Sequence, residues 1–273
     1  MIGIPLILMG IAQIEQVGVR GSFVLTAICK DGIIVASESR ANIFDTADKQ
    51  QSPIAYYDTI QKVFPLGANA LAETGQGLIL GRFVSAIVQD FSKGTTTPLL
   101  VDNLLPSFLE YCRRAYPTQA VAQIRRQKMF AAGYKQGIPT LCYFNEDQPS
   151  GPFGCIQGSG FIGSAPTLLT EYSAKLSSMS AGEAAALSEK AILEYARQDN
   201  RWKTMGGPIS ILLVTPFGSE WLKNPPAPQK WQSTQDMITA YRAGDFVLQL
   251  IPPATKKQLE ELFATVPQGP SKK

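Results

Sequence analysis

The chain has 273 residues, 45% of them hydrophobic and 17% charged, with a formal net charge of +3. That is material for one sizeable core, in one large domain or at most two, and the absence of a lysine/arginine block gives no sign of a nucleic-acid partner. It contains no histidine, which excludes Ser-His-Asp and Cys-His catalysis and most zinc sites, so a nucleophilic hydrolase built from this chain needs a lysine or a free α-amine as its base.

Residues 1–14, MIGIPLILMGIAQI, are apolar and uncharged. They are too short to span a bilayer, so no membrane is implied; an export signal is one reading, opposed by the lack of a basic start and a poor small-residue site, and the favoured reading is an N-terminal extension, ordered or removed. Two apolar runs, 22–29 and 32–38, flank a Lys-Asp-Gly turn and predict a hairpin, opened by the pair Gly21-Ser22. The polar, turn-rich stretch 41–59 predicts a loop, and 60–66 and 68–74 two more strands. Apolar residues at helical spacing predict a helix from Gln76 to Phe91, and a second follows over about 98–115. The stretch 128–145 predicts a second hairpin; "GPFGCIQGSGFIG" gives a short strand and a glycine-rich turn; helices are expected from about Ala165 and over 181–198; and 206–215 is a buried strand. From Pro216 onward the chain reads as an irregular tail with Trp221 and Trp231 exposed, ending in a helix near 255–264. Strands and paired helices in this order imply antiparallel sheets covered by helix layers rather than βαβ units.

Two features point away from other functions. Cys29, Cys112, Cys142 and Cys155 show neither CxxC pairing nor metal-ligand spacing, so they are expected reduced and buried, as in a cytosolic protein, with no metal. Residues 158–163, GSGFIG, match the dinucleotide fingerprint G-x-G-x-x-G. The strand before them is short and poor in Val and Ile, and no βαβ continuation follows, so the motif reads as a tight turn needing positive φ.

The segment 22–40, then "QKVFPLG" (61–67), "ALAETG" (70–75), "AAGY" (131–134) and "ARQDNRWKTMGG" (196–207), taken in that order, resemble proteasome β-type subunits of the N-terminal nucleophile hydrolase superfamily. The resemblance covers roughly residues 20–215. It implies an α+β fold, a four-layer αββα sandwich of two antiparallel sheets flanked by helix pairs. It divides the chain into an extension or propeptide (1–21), a catalytic domain (22–215) and a C-terminal extension (216–273) available to form an interface. In the family, self-cleavage after a glycine frees a nucleophile whose own α-amine helps accept its proton. The matching positions are Gly21 for processing and Ser22 as nucleophile, with Glu38, Lys62, Asp199 and Ser164 as further catalytic residues (Ser159 rivals Ser164 in the glycine-rich turn). Gly75 matches the oxyanion-hole glycine, and Arg40 and Asn42 lie where the family binds substrate backbone. Lys62 and Glu38 are expected to meet on adjacent strands; a free α-amine titrates near pH 8, and a lysine beside it would depress its pKa by like-charge repulsion.

The implied function is self-processing hydrolysis of peptide bonds. The implied context is a peptide or protein substrate, a homo-oligomeric ring or spiral, an optional ATPase partner, no cofactor, and a cytoplasmic location. The alternatives are a catalytically silent scaffold subunit and an amidase for small substrates. Departures from the family are the serine in place of threonine, a longer loop at 41–61, "QGLIL" after Gly75, and two extra residues between Asp199 and Gly206. They suggest a divergent bacterial proteasome-like protein.

Overall fold

The computed structural model describes residues 16–21, 23–48, 50, 52–95, 99–116, 128–145, 153–163, 170, 175–227 and 230–266, without the side chains of residues 76, 199, 200 and 202. The first strand, β1 (Val17–Gly21), lies inside the segment expected to be a mere extension. The expected hairpin follows as β2 (Val24–Cys29) and β3 (Gly32–Glu38). Both strands are buried along their whole length because each face is covered: Ile34 and Ala36 belong to one apolar cluster, Ile33 and Val35 to another.

The expected loop at 41–59 instead holds β4 (Ala41–Asp45) and β5 (Pro53–Tyr57). Ala41, Ile43, Ala55 and Tyr57 supply an alternating inward face that the polar composition of the stretch hides. After β6 (Val63–Leu66) and β7 (Asn69–Gln76) the chain makes a tight hairpin, β8 (Leu78–Ile79) and β9 (Arg82–Phe83), before the first helix starts. Leu80 and Gly81, with φ of 48° and 73°, form its left-handed turn. The first helix, α1 (Val84–Gly94), therefore begins eight residues later than its periodicity predicts. Next come α2 (Val101–Ala115), the hairpin β10 (Lys128–Lys135) and β11 (Ile138–Phe144), β12 (Phe153–Gln157) and β13 (Phe161–Gly163). The glycine-rich turn between the last two has Gly158 and Gly160 at positive φ and enters a strand, not the helix a dinucleotide site requires.

The helix expected from Ala165 falls largely outside the described residues. The next, α3 (Ala181–Arg197), starts at a Ser180/Glu183 capping box, continues as a 3-10 turn (Gln198–Lys203), and precedes β14 (Ile209–Thr215). The tail is not irregular. It contains β15 (Gly218–Lys223), α4 (Thr234–Ala243), β16 (Gln249–Leu250) and α5 (Lys256–Ala264), and both helices start at capping boxes. Trp221 and Trp231 are partly buried against the core rather than exposed.

One sheet runs β12-β11-β10-β7-β1-β4-β5-β16, with β6 also on β7; the other runs β13-β2-β3-β14-β15. The pairings are antiparallel throughout. Residues of both sheets share one apolar cluster, α1 and α2 pack on the larger sheet, and α3 packs on the smaller. A further cluster joins Val17 and Val19 of β1 to β4, β5 and residues of α4 and α5, including Met237 and Leu259. Contrary to expectation, two of the cysteines are oxidised: Cys142 and Cys155, opposite each other on β11 and β12, form a disulfide. Cys29 and Cys112 are free and buried.

Candidate active site

The chain crosses between the two sheets twice at one corner. It leaves β1 at Gly21 and enters the smaller sheet at Val24; it leaves β3 at Glu38 and enters the larger sheet at Ala41. β1 and β6 also lie along the same edge of β7, because β7 pairs with β6 through residues 69–72 and with β1 through 75–76. That end-to-end arrangement brings Lys62, just ahead of β6, against the last residue of β1: a Cβ built on Gly21 would lie 2.7 Å from Lys62 Cε.

Lys62 and Glu38 form a buried ion pair through Nζ and Oε1, with both side chains essentially without solvent contact. They come from facing sheets, not from adjacent strands. Glu38 also accepts from three backbone amides: Phe23 N–H to Oε1 at 3.1 Å, and Arg40 N–H (2.7 Å) and Gly206 N–H (3.2 Å) to Oε2. A carboxylate with that many donors is held rigidly in place. Ser22 lies outside the described residues, but both its chain neighbours touch the pair, Gly21 through Lys62 and Phe23 through Glu38.

The carbonyl of Gly21 faces donors on β7. Thr74 Oγ1 donates to it over 3.4 Å. Gly77 N–H donates to Val19 O at 2.7 Å, and Gly75 stands opposite Gly21 in the same register. Since hydrogen-bonded pairs alternate along an antiparallel ladder, the Gly75 N–H also falls at the Gly21 carbonyl. Gly75 has φ of 104°, a conformation that favours glycine.

The remaining candidates surround this corner. Arg40 is clamped by Asp58, with Nε at 2.7 Å and Nη2 at 2.8 Å, and its guanidinium lies 3.7 Å from the Tyr56 ring centroid. Burial works against its charge, but the Asp58 carboxylate outweighs it and holds the guanidinium above its ordinary pKa. Gly206 has no room for a side chain there, since its Cβ would sit 2.8 Å from the Arg40 guanidinium carbon. Asn42 donates to Thr204 O at 2.8 Å and stands opposite Arg20 of β1. Asp199 is in the 3-10 turn, its side chain outside the described atoms, and Ser164 lies outside the described residues altogether. Ser159 is exposed in the glycine-rich turn.

Sequence reasoning missed Thr74, Asp58 and Glu73. Glu73 is wholly buried on β7, opposite Lys62, its N–H donating to Lys62 O at 2.9 Å. Burial pushes its carboxyl up to about 8; Lys62 opposes that shift and Glu38 adds to it. A carboxylate inside the apolar run "ALAETG" was the available signal. Among the described residues no cluster of His, Cys, Asp and Glu has the grouping of a metal site, and no helix is long and apolar enough to cross a membrane.

No family model and no curated protein matches the sequence. Among solved structures, an Anbu mutant from Hyphomicrobium sp. strain MC1 is similar over 92% of this chain and 100% of its own, with a TM-score of 0.51 and 16% identity. The fold is proteasome-like. At this identity the likeness is one of fold alone. In the proteasome-like frame, Lys62, Glu38 and Gly21 meet where the two sheets exchange strands.

Proposed function

We propose that this chain is a self-processing N-terminal nucleophile hydrolase that cuts the Gly21–Ser22 bond and then other peptide bonds through Ser22. The observation that carries this reading is the convergence of Lys62 and Glu38 on the two residues flanking Ser22. In the proposed step the Ser22 hydroxyl adds to the Gly21 carbonyl carbon. The Thr74 hydroxyl and Gly75 N–H receive the developing oxyanion. The amide nitrogen leaves protonated as the new α-amine, and water hydrolyses the resulting ester to free the Gly21 carboxylate. The freed amine then serves as the base that a histidine-free chain otherwise lacks. Lys62 disfavours its protonation and stabilises the alkoxide, while Glu38 fixes Lys62. Asp199 and Ser164 complete the site in this reading, and Arg40 and Asn42 shape its substrate side. The packing of α1 and α2 on one sheet and α3 on the other, with a shared cluster between the sheets, supports a four-layer sandwich. A ring or spiral of copies, with an optional ATPase partner, belongs to the same reading.

A second reading has its own support. β1 is paired on both edges and buried under α4 and α5, which suits a scaffold subunit that keeps its N-terminal strand. Intact-mass spectrometry separates the two. The hydrolase is expected to lose residues 1–21, and Ser22→Ala is expected to keep them. Trimming of the Ser22→Ala chain after Gly21 would refute self-cleavage, and an untrimmed wild-type chain would favour the scaffold.

A further inference from the structure

We infer that the slot between β4 and β7, now filled by β1, selects extended peptides with glycine at the fourth residue before the cut and a branched aliphatic residue at the third, and that Phe44 enforces the glycine. This rests on the reading that the bond after Gly21 is the one cut.

The slot is a strand's width, bounded by backbone on both sides: Gly18 stands opposite Phe44 of β4, and Gly21 stands opposite Gly75 of β7. Side chains of its occupant alternate between two faces. On one face, Val17 and Val19 are buried in the cluster that also holds Met237 and Leu259 of the C-terminal helices. A charge there would be desolvated without a partner. On the other face the Phe44 ring occupies the volume a side chain would need. A Cβ on Gly18 would lie 2.3, 2.5 and 2.7 Å from ring atoms Cζ, Cε2 and Cε1. The ring is 2% exposed, and the Arg20 guanidinium caps it at 4.4 Å from its centroid, so moving it disrupts packing and a cation–π contact. The second residue before the cut, Arg20, is exposed, so that position carries no steric filter. The substrate class is therefore a peptide reading Gly, branched aliphatic, a sterically open position, Gly ahead of the scissile bond, with a cation at the open position able to cap Phe44.

The test is a two-site cycle in the full chain: wild type, Gly18→Val, Phe44→Ala and the double variant, followed by intact mass over time, with the same four melted in a Ser22→Ala background. Gly18→Val is expected to slow processing by at least about tenfold and to lower the melting temperature of the uncut chain. In the double variant processing is expected to return to within about threefold of Phe44→Ala alone. If Gly18→Val processes like wild type, or Phe44→Ala fails to rescue it, the inference is overturned. Where the wild type does not process at all, the proposed cleavage fails and melting decides. Rescue of the melting temperature then upholds the slot's selectivity for its strand, and no rescue overturns it. Gly18→Ala with Phe44→Leu repeats the cycle with a smaller volume change should the first pair not fold.

Discussion

Glu38 and Lys62 are charged groups buried where only full compensation makes charge tolerable. Four donors converge on the Glu38 carboxylate, one of them the ammonium and the rest backbone amides. Glu73 is treated differently by the same corner: it is buried opposite Lys62, and one of its oxygens has no hydrogen-bond partner. Its carboxyl keeps its proton up to about pH 8, while the unfolded chain releases it near 4.5. Unfolding thus sheds a proton across that window, and stability falls as pH rises through it, by up to about 1.4 kcal/mol per pH unit. Urea unfolding at pH 5 and pH 8 is expected to show that loss for the wild type and to show it removed in Glu73→Gln.

Elements at the sheet edges are held by devices the sequence does not announce. β12 is the outer strand of the larger sheet, tied to β11 by the cross-strand disulfide over a separation of 13 residues. A loop of that size contributes about 3 kcal/mol, chiefly by restricting the unfolded chain. Cys155→Ser is expected to lower the denaturant midpoint accordingly, and reduction of the wild type to reproduce the shift. The hairpins 24–38 and 128–144 and the strand 209–215 were legible because their apolar runs are bounded by turn residues. β4 and β5 were not, because the largely polar residues 45–52 between them dominate the composition of the stretch and leave each strand only a short apolar run. The late start of α1 was not, because a left-handed turn at Leu80 looks like helix in a hydrophobicity pattern.

At the scale of the molecule the two ends of the chain share one core. Val17 and Val19 cluster with Met237, Leu259 and Phe263, more than two hundred residues away. The C-terminal segment is therefore a structural roof over the N-terminal strand. Met237→Ala, at a fully buried position, is expected to cost about 2–5 kcal/mol. In the Ser22→Ala chain it should unfold N- and C-terminal segments in one transition, followed by hydrogen exchange at both ends.

What the sequence by itself determined is local: the period of its apolar residues, the glycines at turns, and the exclusion of histidine chemistry by composition. These depend on neighbours within a few positions and are written in order along the chain. Tertiary structure alone decided that Lys62 reaches Gly21, that Glu38 collects donors from residues 23, 40, 62 and 206, that Cys142 meets Cys155, and that Val17–Gly21 is a central strand. Each of those depends on which strands share an edge and which faces are covered, and burial and pairing across such distances are fixed only when the whole chain closes on itself.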